Sequence, residues 1–371
     1  MKILQLGKFY PIRGGVEKVM WDLTNGLSAS GVQCDMLCAA LPGEIPEGGT
    51  IALNSCGRVI CVPAACKLAA TMLSPAMVRW LRAHRGDYDI VHVHHPDPMA
   101  CLALRLSGFR GKVVLHWHSD ILKQKALLRL YKPLQSWLIR RADLIVGTTP
   151  VYVAKSPFLT KVQDKVRCLP IGILPVAEGA EPKGGEDNEV TVFSLGRLVG
   201  YKGFEYLIDA ALFLPSNYKV AIAGDGPLRD SLQARIDAAG LGDRVCLLGR
   251  ISDEQKTEWY RKCDIFCLSS IWKTEAFAIV QIEAMSCGKP VVATHIPGSG
   301  VSWVNEHGVS GLNVPVCNPK ALARAILAVT SDLETYSRYC AAARSRFESL
   351  FTLERMISGC ISLYKDLYER N

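Results

Sequence analysis

The chain has 371 residues, of which 49% are apolar and 21% are charged, and its formal net charge is +8. This length suits two domains of ordinary size, and the apolar fraction is too high for a disordered protein. No stretch of eighteen uninterrupted apolar residues occurs, and the first apolar run is too short for a signal peptide. The composition therefore predicts a two-domain globular protein without a membrane-spanning helix.

Positive charge is concentrated in residues 1–172, which carry 22 Lys and Arg against 11 Asp and Glu, whereas the rest of the chain carries 21 against 24. A basic half indicates an anionic partner: a phosphorylated acceptor, an anionic lipid surface or nucleic acid. Since no recognised nucleic-acid-binding module accompanies it, nucleic acid is not expected. The fourteen cysteines contain no paired C-x-x-C, which predicts buried free thiols in a reducing cytosol rather than structural zinc.

Short apolar runs alternate with helical patterns through the first half of the chain. The predicted strands are MKILQLG, QCDMLCA, RVICVPA, DIVHVHH, KVVLHWH and DLIVGTT. This alternation predicts a parallel, doubly wound α/β sheet, in which ligands gather at the carboxyl ends of the strands. Histidines fall at or near these ends and are candidate ligand-binding residues, although a histidine in such a place is more often a structural hydrogen-bonding partner: His94, His95, His116 and His118.

Two further segments of the first half have alternative interpretations. Gly14 and Gly15 precede an amphipathic helix expected from about Val16 to Leu27, where they would let helix N-terminal amides approach a ligand, or form a simple tight turn. The pattern is not G-x-G-x-x-G. Residues 121–141 predict a basic helix that Pro133 splits. This helix would either lie on an anionic membrane surface or pack into the core of the domain with its basic face in solvent.

A segment rich in Pro, Gly and acidic residues, 173–189, predicts a linker, and we place the domain boundary there. Beyond it, Arg197 and Lys202 stand five positions apart, at a predicted strand end and at the start of the next helix. From these positions a guanidinium and an ammonium group can face one anion.

The second half also contains Glu275 and Glu283, eight positions apart. The sequence QIEAMSCG predicts a helix that ends at Gly288, and AFAIV would lie at its N-terminus, where unpaired amides favour a phosphate. A carboxylate cannot bind phosphate, so the two glutamates are expected to bind hydroxyls on either side of it, as in a nucleotide-sugar. The alternative is an ordinary amphipathic helix with solvated glutamates.

Several segments resemble retaining glycosyltransferases of family 4, and they stand in family order across essentially the whole chain. TEAFAIVQIEAMSCGKPVVAT resembles the E-x7-E signature, and GRLVGYKGF and HWHSDI resemble two further blocks. The resemblance implies the GT-B fold: two Rossmann-like, doubly wound parallel-sheet domains facing a cleft. Residues 1–172 would bind the acceptor, with a C-terminal helix of about 355–371 packing back on them, and residues 173–354 would bind the nucleotide-sugar donor.

The resemblance also implies roles for individual residues. Arg197 and Lys202 would clamp the donor diphosphate, Glu275 would hold the sugar hydroxyls and Glu283 the ribose. The implied catalytic residues are His118, which would stand near the transferring sugar, Glu275, Arg197 and Lys202. The implied donor-binding residues are Gly14, Gly15, Arg197, Lys202, Gly249, Arg250, Ile251, Glu275, Ala276, Phe277, Ala278, Ile279, Val280 and Glu283.

The chain departs from the family pattern at Ala278, where many members have glycine. An alanine keeps its N–H, so phosphate binding is not excluded, but a positive φ at this position would be costly. Cationic side chains and the helix N-terminus near Phe277 would replace a metal at the diphosphate. Asp87-Tyr88-Asp89 is interpreted as a loop rather than a metal-binding D-x-D, and no metal or cofactor is expected.

The combination of blocks most resembles bacterial mannosyltransferases of O-antigen and other surface polysaccharides. It predicts a GDP-mannose donor, a polyprenyl-diphosphate-linked glycan acceptor, and a cytoplasmic enzyme that can lie on the inner face of the membrane. A UDP-hexose donor is the alternative, since the base-contacting loop 249–252 has no motif that separates guanine from uracil. An epimerase would release an isomerised sugar without an acceptor, and a non-catalytic subunit would lack the site residues that are present here.

Overall fold

The computed structural model describes residues 1–68, 71–121, 125–177 and 189–369, with 125–128 and 130 described by their backbone only. Most of the predicted linker, Lys123 and the side chain of Lys125 therefore lie outside the description. The chain forms two compact units, one of Met1–Gly172 with Leu353–Asn371 and one of Ile173–Thr352. Each unit has its own sheet.

The first unit begins with alternating strands and helices. Its strands are β1 (Lys2–Phe9), β2 (Gln33–Ala40), β3 (Thr50–Asn54), β4 (Gly57–Pro63), β5 (Cys66–Leu68), β6 (Thr71–Leu73), β7 (Ile90–His95), β8 (Lys112–Trp117), β9 (Leu144–Gly147) and β10 (Val166–Cys168). Its helices up to the boundary are α1 (Gly15–Ala29), α2 (Pro75–Ala83), α3 (Pro98–Ser107), α4 (Lys125–Arg141) and α5 (Pro150–Ala154). All six strands predicted for this half are confirmed, whereas β3, β5, β6 and β10 were not predicted.

The large sheet of the first unit has the strand order β10-β9-β8-β7-β1-β2-β4-β3. Its pairings are parallel except that of β3 with β4, which is antiparallel at the sheet edge. β7 and β8 are neighbours with His94 opposite His116. Parallel pairing therefore brings the carboxyl ends of these strands, and the histidines on them, to one edge of the sheet.

The second unit repeats the architecture with β11 (Val190–Leu195), β12 (Tyr218–Ala223), β13 (Val245–Gly249), β14 (Ile265–Leu268), β15 (Val291–His295) and β16 (Gly311–Pro315). Its helices are α6 (Phe204–Ala210), α7 (Arg229–Ala238), α8 (Asp253–Lys262), α9 (Ile279–Ser286), α10 (Val301–Val304), α11 (Pro319–Val329) and α12 (Leu333–Leu350). The sheet is parallel throughout in the order β13-β12-β11-β14-β15-β16. Both sheets are thus doubly wound, as predicted.

The last helix, α13 (Leu353–Glu369), belongs to the first unit and packs against α1. Gly26 permits this approach, because a Cβ there would lie 2.5 Å from the Cδ1 atom of Ile357. Tyr364 of α13 is buried and its hydroxyl lies within hydrogen-bonding distance of Gln5 on β1. The end of the chain therefore contributes a polar group to the interior of the first unit.

Helix α4 differs from the predicted break at Pro133, and its burial helps to decide between the membrane and core alternatives. Pro133 does not split it: the helix is continuous from Lys125 to Arg141, and Pro133 is exposed on its surface. Tyr131, Leu138 and Ile139 are buried, so the described apolar side chains face the protein core, as the core-packing alternative expects. Within the described ranges, we find no helix with the length and apolarity needed to span a bilayer.

Candidate active site

The predicted nucleotide-sugar segment forms a loop that leads into helix α9. Residues 275–278 are at most 8% exposed. The carbonyl of Ala276 accepts a hydrogen bond from the Gly300 amide (3.0 Å), and the carbonyl of Phe277 accepts one from the Gln281 side-chain amide (3.1 Å). The protein itself therefore fixes the conformation of the chain at the N-terminus of α9.

Ala278 immediately precedes α9 with φ 64° and ψ 79°. This alanine thus adopts a positive φ, although its side chain makes that conformation costly. Contact between its Cβ and the backbone makes this conformation costly by about 1 kcal/mol, which surrounding structure must offset. Phe277 packs edge-on against Phe351 with ring centroids 5.9 Å apart, which adds to the anchoring of the loop. Strained backbone of this kind is concentrated at functional sites.

Replacing Ala278 by glycine should raise the free energy of unfolding by roughly 0.5–1 kcal/mol, because glycine adopts this φ without the Cβ contact. Denaturant unfolding measures the change. Ala284→Gly, in the buried interior of α9, is the control and should lower stability by about 1 kcal/mol or more. If Ala278→Gly were the less stable protein, the left-handed conformation would not be strained.

Lys202 and Glu275 form a nearly buried ion pair, with 2.6 Å between Nζ and Oε2 and each side chain 10% exposed. The same carboxylate oxygen accepts a hydrogen bond from the Ser270 hydroxyl at 2.8 Å. Burial acts to lower the pKa of Lys202, but the Glu275 carboxylate and Tyr201 together outweigh it, and the net pKa is raised. Lys202 therefore carries its positive charge at neutral pH, beside the loop that leads into α9.

Arg197 is exposed, and unlike Lys202 it lines a cavity of about 320 Å³. The other lining residues are Leu195, Gly224, Asp225, Arg250 and Ile251. The cavity thus unites Arg197 with two residues of the predicted base-contacting loop. Gly196 directly precedes Arg197, and the aliphatic end of Lys202 occupies the space beside this glycine, 3.1 Å from where a Cβ would stand.

Glu283 on α9 is held by two residues of α8. Its Oε1 atom lies 3.2 Å from the Lys256 ammonium group, and its Oε2 atom accepts a hydrogen bond from the Tyr260 hydroxyl at 2.8 Å. Sequence reasoning missed both partners. The signal that could have found them is the capping box of Ser252 with Gln255, which starts α8 and places positions 256 and 260 on one helix face.

Gly14 and Gly15 are exposed at the start of α1, where Gly14 is the N-cap residue in an extended conformation. A Cβ on Gly14 would lie 2.2 Å from the carboxylate of Glu17, a buried residue of the first helical turn. The Glu17 carboxylate therefore lies beside these glycines, and an anion approaching their amides would meet it.

Four buried histidines on β7, on β8 and directly after β8 form a cluster, and we call it the histidine cluster: His92, His94, His116 and His118. The rings of His94 and His118 are stacked with centroids 5.2 Å apart, and those of His116 and His118 with centroids 4.0 Å apart. Burial lowers the pKa of all four, that of His116 to about 3, and for the other three the cost of placing a second charge beside neighbouring histidines lowers it further. Each ring is therefore neutral at neutral pH. His95 lies outside the cluster, stacked on Trp117.

Three members of the cluster, His92, His94 and His116, offer ring nitrogens within 4.8 Å of one another, which is close enough to consider a metal ion. Their rings are within 30° of parallel. Since the lone pairs lie in the ring planes, such rings direct them side by side rather than toward one point. Both nitrogens of His94 already have hydrogen-bonding partners. The arrangement fits a hydrogen-bonded stack better than a tetrahedral site.

Two family models divide the chain between them. Residues 13–173 match the family described as Glycosyltransferase Family 4, and residues 178–346 match Glycosyl transferases group 1. The first match lies in the unit that contains the histidine cluster. The second covers the Lys202–Glu275 pair, α8 and α9.

Relatives and solved structures agree with the family models. The chain is 32% identical to O-antigen chain mannosyltransferase C of Escherichia coli over 100% of this chain and 99% of that protein. It is 30% identical to D-rhamnosyltransferase WbpZ of Pseudomonas aeruginosa over 95% and 92%. The structure superimposes on sucrose-phosphate synthase of Thermosynechococcus elongatus with a TM-score of 0.80, 21% identity and full coverage of both chains. The chain therefore belongs to the family 4 glycosyltransferases and has the GT-B fold.

Proposed function

We propose that this protein is a retaining α-mannosyltransferase that moves mannose from GDP-mannose to a polyprenyl-diphosphate-linked glycan during the synthesis of O-antigen or another surface polysaccharide. The observation that carries the proposal is the Lys202–Glu275 ion pair beside the loop into α9. It combines a buried cation with a carboxylate and a helix N-terminus, which together suit a diphosphate and a sugar hydroxyl. The similarity to O-antigen chain mannosyltransferase C supports the choice of mannose.

In this proposal, cleavage of the sugar–phosphate bond leaves negative charge on the departing diphosphate. Lys202, Arg197 and the amides at the start of α9 stabilise that charge as it develops. Glu275 orients the sugar through its hydroxyls, Glu283 orients the ribose, and His118 hydrogen-bonds the transferring sugar. The leaving phosphate takes the proton of the acceptor hydroxyl on the same face of the sugar, so the anomeric configuration is retained. The charge stabilisation needs no metal ion.

A second donor has a specific observation in its favour. The chain is almost as similar to a D-rhamnosyltransferase as to the mannosyltransferase. D-Rhamnose is mannose without the 6-hydroxyl group, so the two donors differ at a single position of the sugar. Parallel transfer assays with GDP-mannose and GDP-D-rhamnose on one acceptor extract would separate them by kcat/KM.

Calorimetric titration with GDP, UDP and ADP, in the absence of metal, tests the donor nucleotide. We expect GDP to bind with a Kd at least tenfold below those of UDP and ADP, because a chain that uses a GDP-sugar must recognise guanine at loop 249–252. A preference for UDP would exclude GDP-mannose and leave the glycosyltransferase. Arg250 lines the cavity beside Arg197, so Arg250→Ala should weaken binding of whichever nucleotide the protein prefers. Lys262→Ala, at an exposed position, should leave that binding unchanged.

The proposed cellular place is the cytoplasmic face of the membrane, where lipid-linked acceptors are extended. The basic excess of residues 1–172 supports electrostatic attraction to anionic lipid. On α4 the exposed basic side chains include Arg129, Lys132 and Arg140, whereas the apolar Tyr131, Leu138 and Ile139 are buried. Contact of this face with lipid would therefore be electrostatic rather than by insertion of apolar residues.

A further inference from the structure

A continuous chain of hydrogen bonds runs through the interior of the first unit from α13 to His118. The hydroxyl of Tyr364 lies 2.5 Å from His92 Nδ1 and 3.0 Å from Gln5 Nε2. Gln5 Oε1 lies 2.8 Å from His94 Nε2, and His94 Nδ1 lies 2.9 Å from His118 Nε2. These five side chains are at most 5% exposed, so water does not substitute for any of the links.

The orientation of Gln5 determines where the protons are. Its carbonyl oxygen can only accept, so His94 must donate from Nε2. A neutral imidazole has one N–H, and His94 therefore accepts at Nδ1, which requires His118 to donate from Nε2. On the other side of Gln5, its amide donates to the Tyr364 hydroxyl, which then donates to His92 Nδ1.

The Gln5 amide has hydrogen-bonding partners at both ends. Its Nε2 atom faces two acceptors, the Tyr364 oxygen and, at 3.8 Å, the Cys34 sulfur. Rotating the amide by half a turn would reverse the direction of every bond in the chain and move the His118 proton to Nδ1. The orientation of the Gln5 amide thus selects between two arrangements of protons that use the same heavy-atom positions, and the Tyr364 hydroxyl, which can donate and accept, anchors the amide in either of them.

We propose that Gln5, His94 and Tyr364 are positioning residues that hold His118 in the tautomer with its proton on Nε2 and a lone pair on Nδ1. The consequence for transfer depends on the proposed function, in which His118 contacts the sugar. A neutral ring with a free lone pair accepts a hydrogen bond from a sugar hydroxyl and is compatible with positive charge developing at the anomeric carbon. A ring that presents an N–H dipole to that carbon would oppose the charge.

The tautomer can be measured without any substrate by two-bond ¹H–¹⁵N correlation spectra of the imidazole rings. We expect His92, His94 and His118 of the wild-type protein all to be protonated on Nε2. A His118 protonated on Nδ1 would overturn the proposal. This measurement uses the intact protein and does not depend on any variant that must fold.

Tyr364→Phe removes the hydroxyl that holds Gln5 and keeps the aromatic packing of α13. We expect a second His118 tautomer to appear in the spectra and kcat for sugar transfer to fall about tenfold or more, with the donor KM unchanged. Tyr368→Phe, an exposed tyrosine of the same helix, is the matched control and should change neither.

The two measurements separate this proposal from the proposed function. A mixed tautomer in Tyr364→Phe with unchanged kcat would overturn the positioning role. If wild-type protein has the expected tautomers but transfers no sugar from any nucleotide donor, the proposed function fails while the proton arrangement is upheld.

Discussion

Lys202→Ala should lower kcat for sugar transfer about 30-fold to 1,000-fold, which corresponds to a loss of roughly 2–4 kcal/mol of transition-state stabilisation. Lys202 is nearly buried and preorganised against Glu275, so its charge acts on the departing diphosphate with little screening by solvent. Steady-state kinetics with saturating donor measure the change. Unchanged turnover would remove Lys202 from the proposed diphosphate clamp.

Loss of Lys202 also affects folding, because it leaves the Glu275 carboxylate without its cationic partner. Breaking a buried pair from one side costs about 3–5 kcal/mol, so denaturant unfolding must accompany the kinetics. Lys202→Met keeps the aliphatic stem beside Gly196 and should fold more stably than the alanine variant with the same loss of kcat. Lys262→Ala, an exposed lysine of α8, should change neither quantity.

The pH dependence of the stability that charged Lys202 contributes follows from the raised pKa of this lysine. A group whose pKa is higher in the folded state than in the unfolded state contributes fully below its unfolded pKa. That contribution is lost only as the pH rises through the folded pKa. For a lysine this window is strongly alkaline, so we expect the kinetic effect of Lys202→Ala to be the same across neutral pH.

The strands and the main helices could be predicted because their signals are local. Buried parallel strands are short apolar runs, and α9 ends where Gly288 adopts a positive φ, as its sequence indicated. The edge strand β3 and the antiparallel pair of β5 and β6 were missed, because these short strands lack a continuous apolar run. Pro133 was predicted to break α4, yet tertiary packing of the helix outweighs the local penalty.

The internal connections of the site could not be predicted, because they depend on tertiary structure. The resemblance to the family named Glu275 and Lys202 but not the ion pair between them. Gln5 and Tyr364 are 359 positions apart, and only the return of α13 to the first unit brings them together. At Ala278 the local rule against positive φ fails, since hydrogen bonds from elsewhere in the unit fix the loop. Functional sites are the places where such local rules are expected to fail.

Glu275→Gln should lower kcat about 100-fold while GDP binds as tightly as before or more tightly. The amide keeps the size of the side chain but cannot neutralise Lys202. In the ligand-free protein Glu275 competes with the diphosphate for that cation, so its removal favours nucleotide binding even as it impairs orientation of the sugar. Calorimetry with GDP and steady-state kinetics on the same preparations measure the two effects separately.

Glu283→Gln is the matched comparison, since it makes the same chemical change on α9 and should have the opposite pattern. Its proposed ligand is the ribose, so GDP affinity should fall by about 1.5–3 kcal/mol, the strength of a hydrogen bond to a charged group, with kcat little changed. In the variant the amide oxygen can accept from Lys256, as Oε1 of Glu283 does, and the amide nitrogen takes the place of Oε2 and can donate to the Tyr260 oxygen. If instead Glu275→Gln loses GDP affinity and Glu283→Gln loses turnover, the roles of the two glutamates are exchanged. Because both variants keep the volume of the side chain, such an exchange could not be attributed to a packing defect.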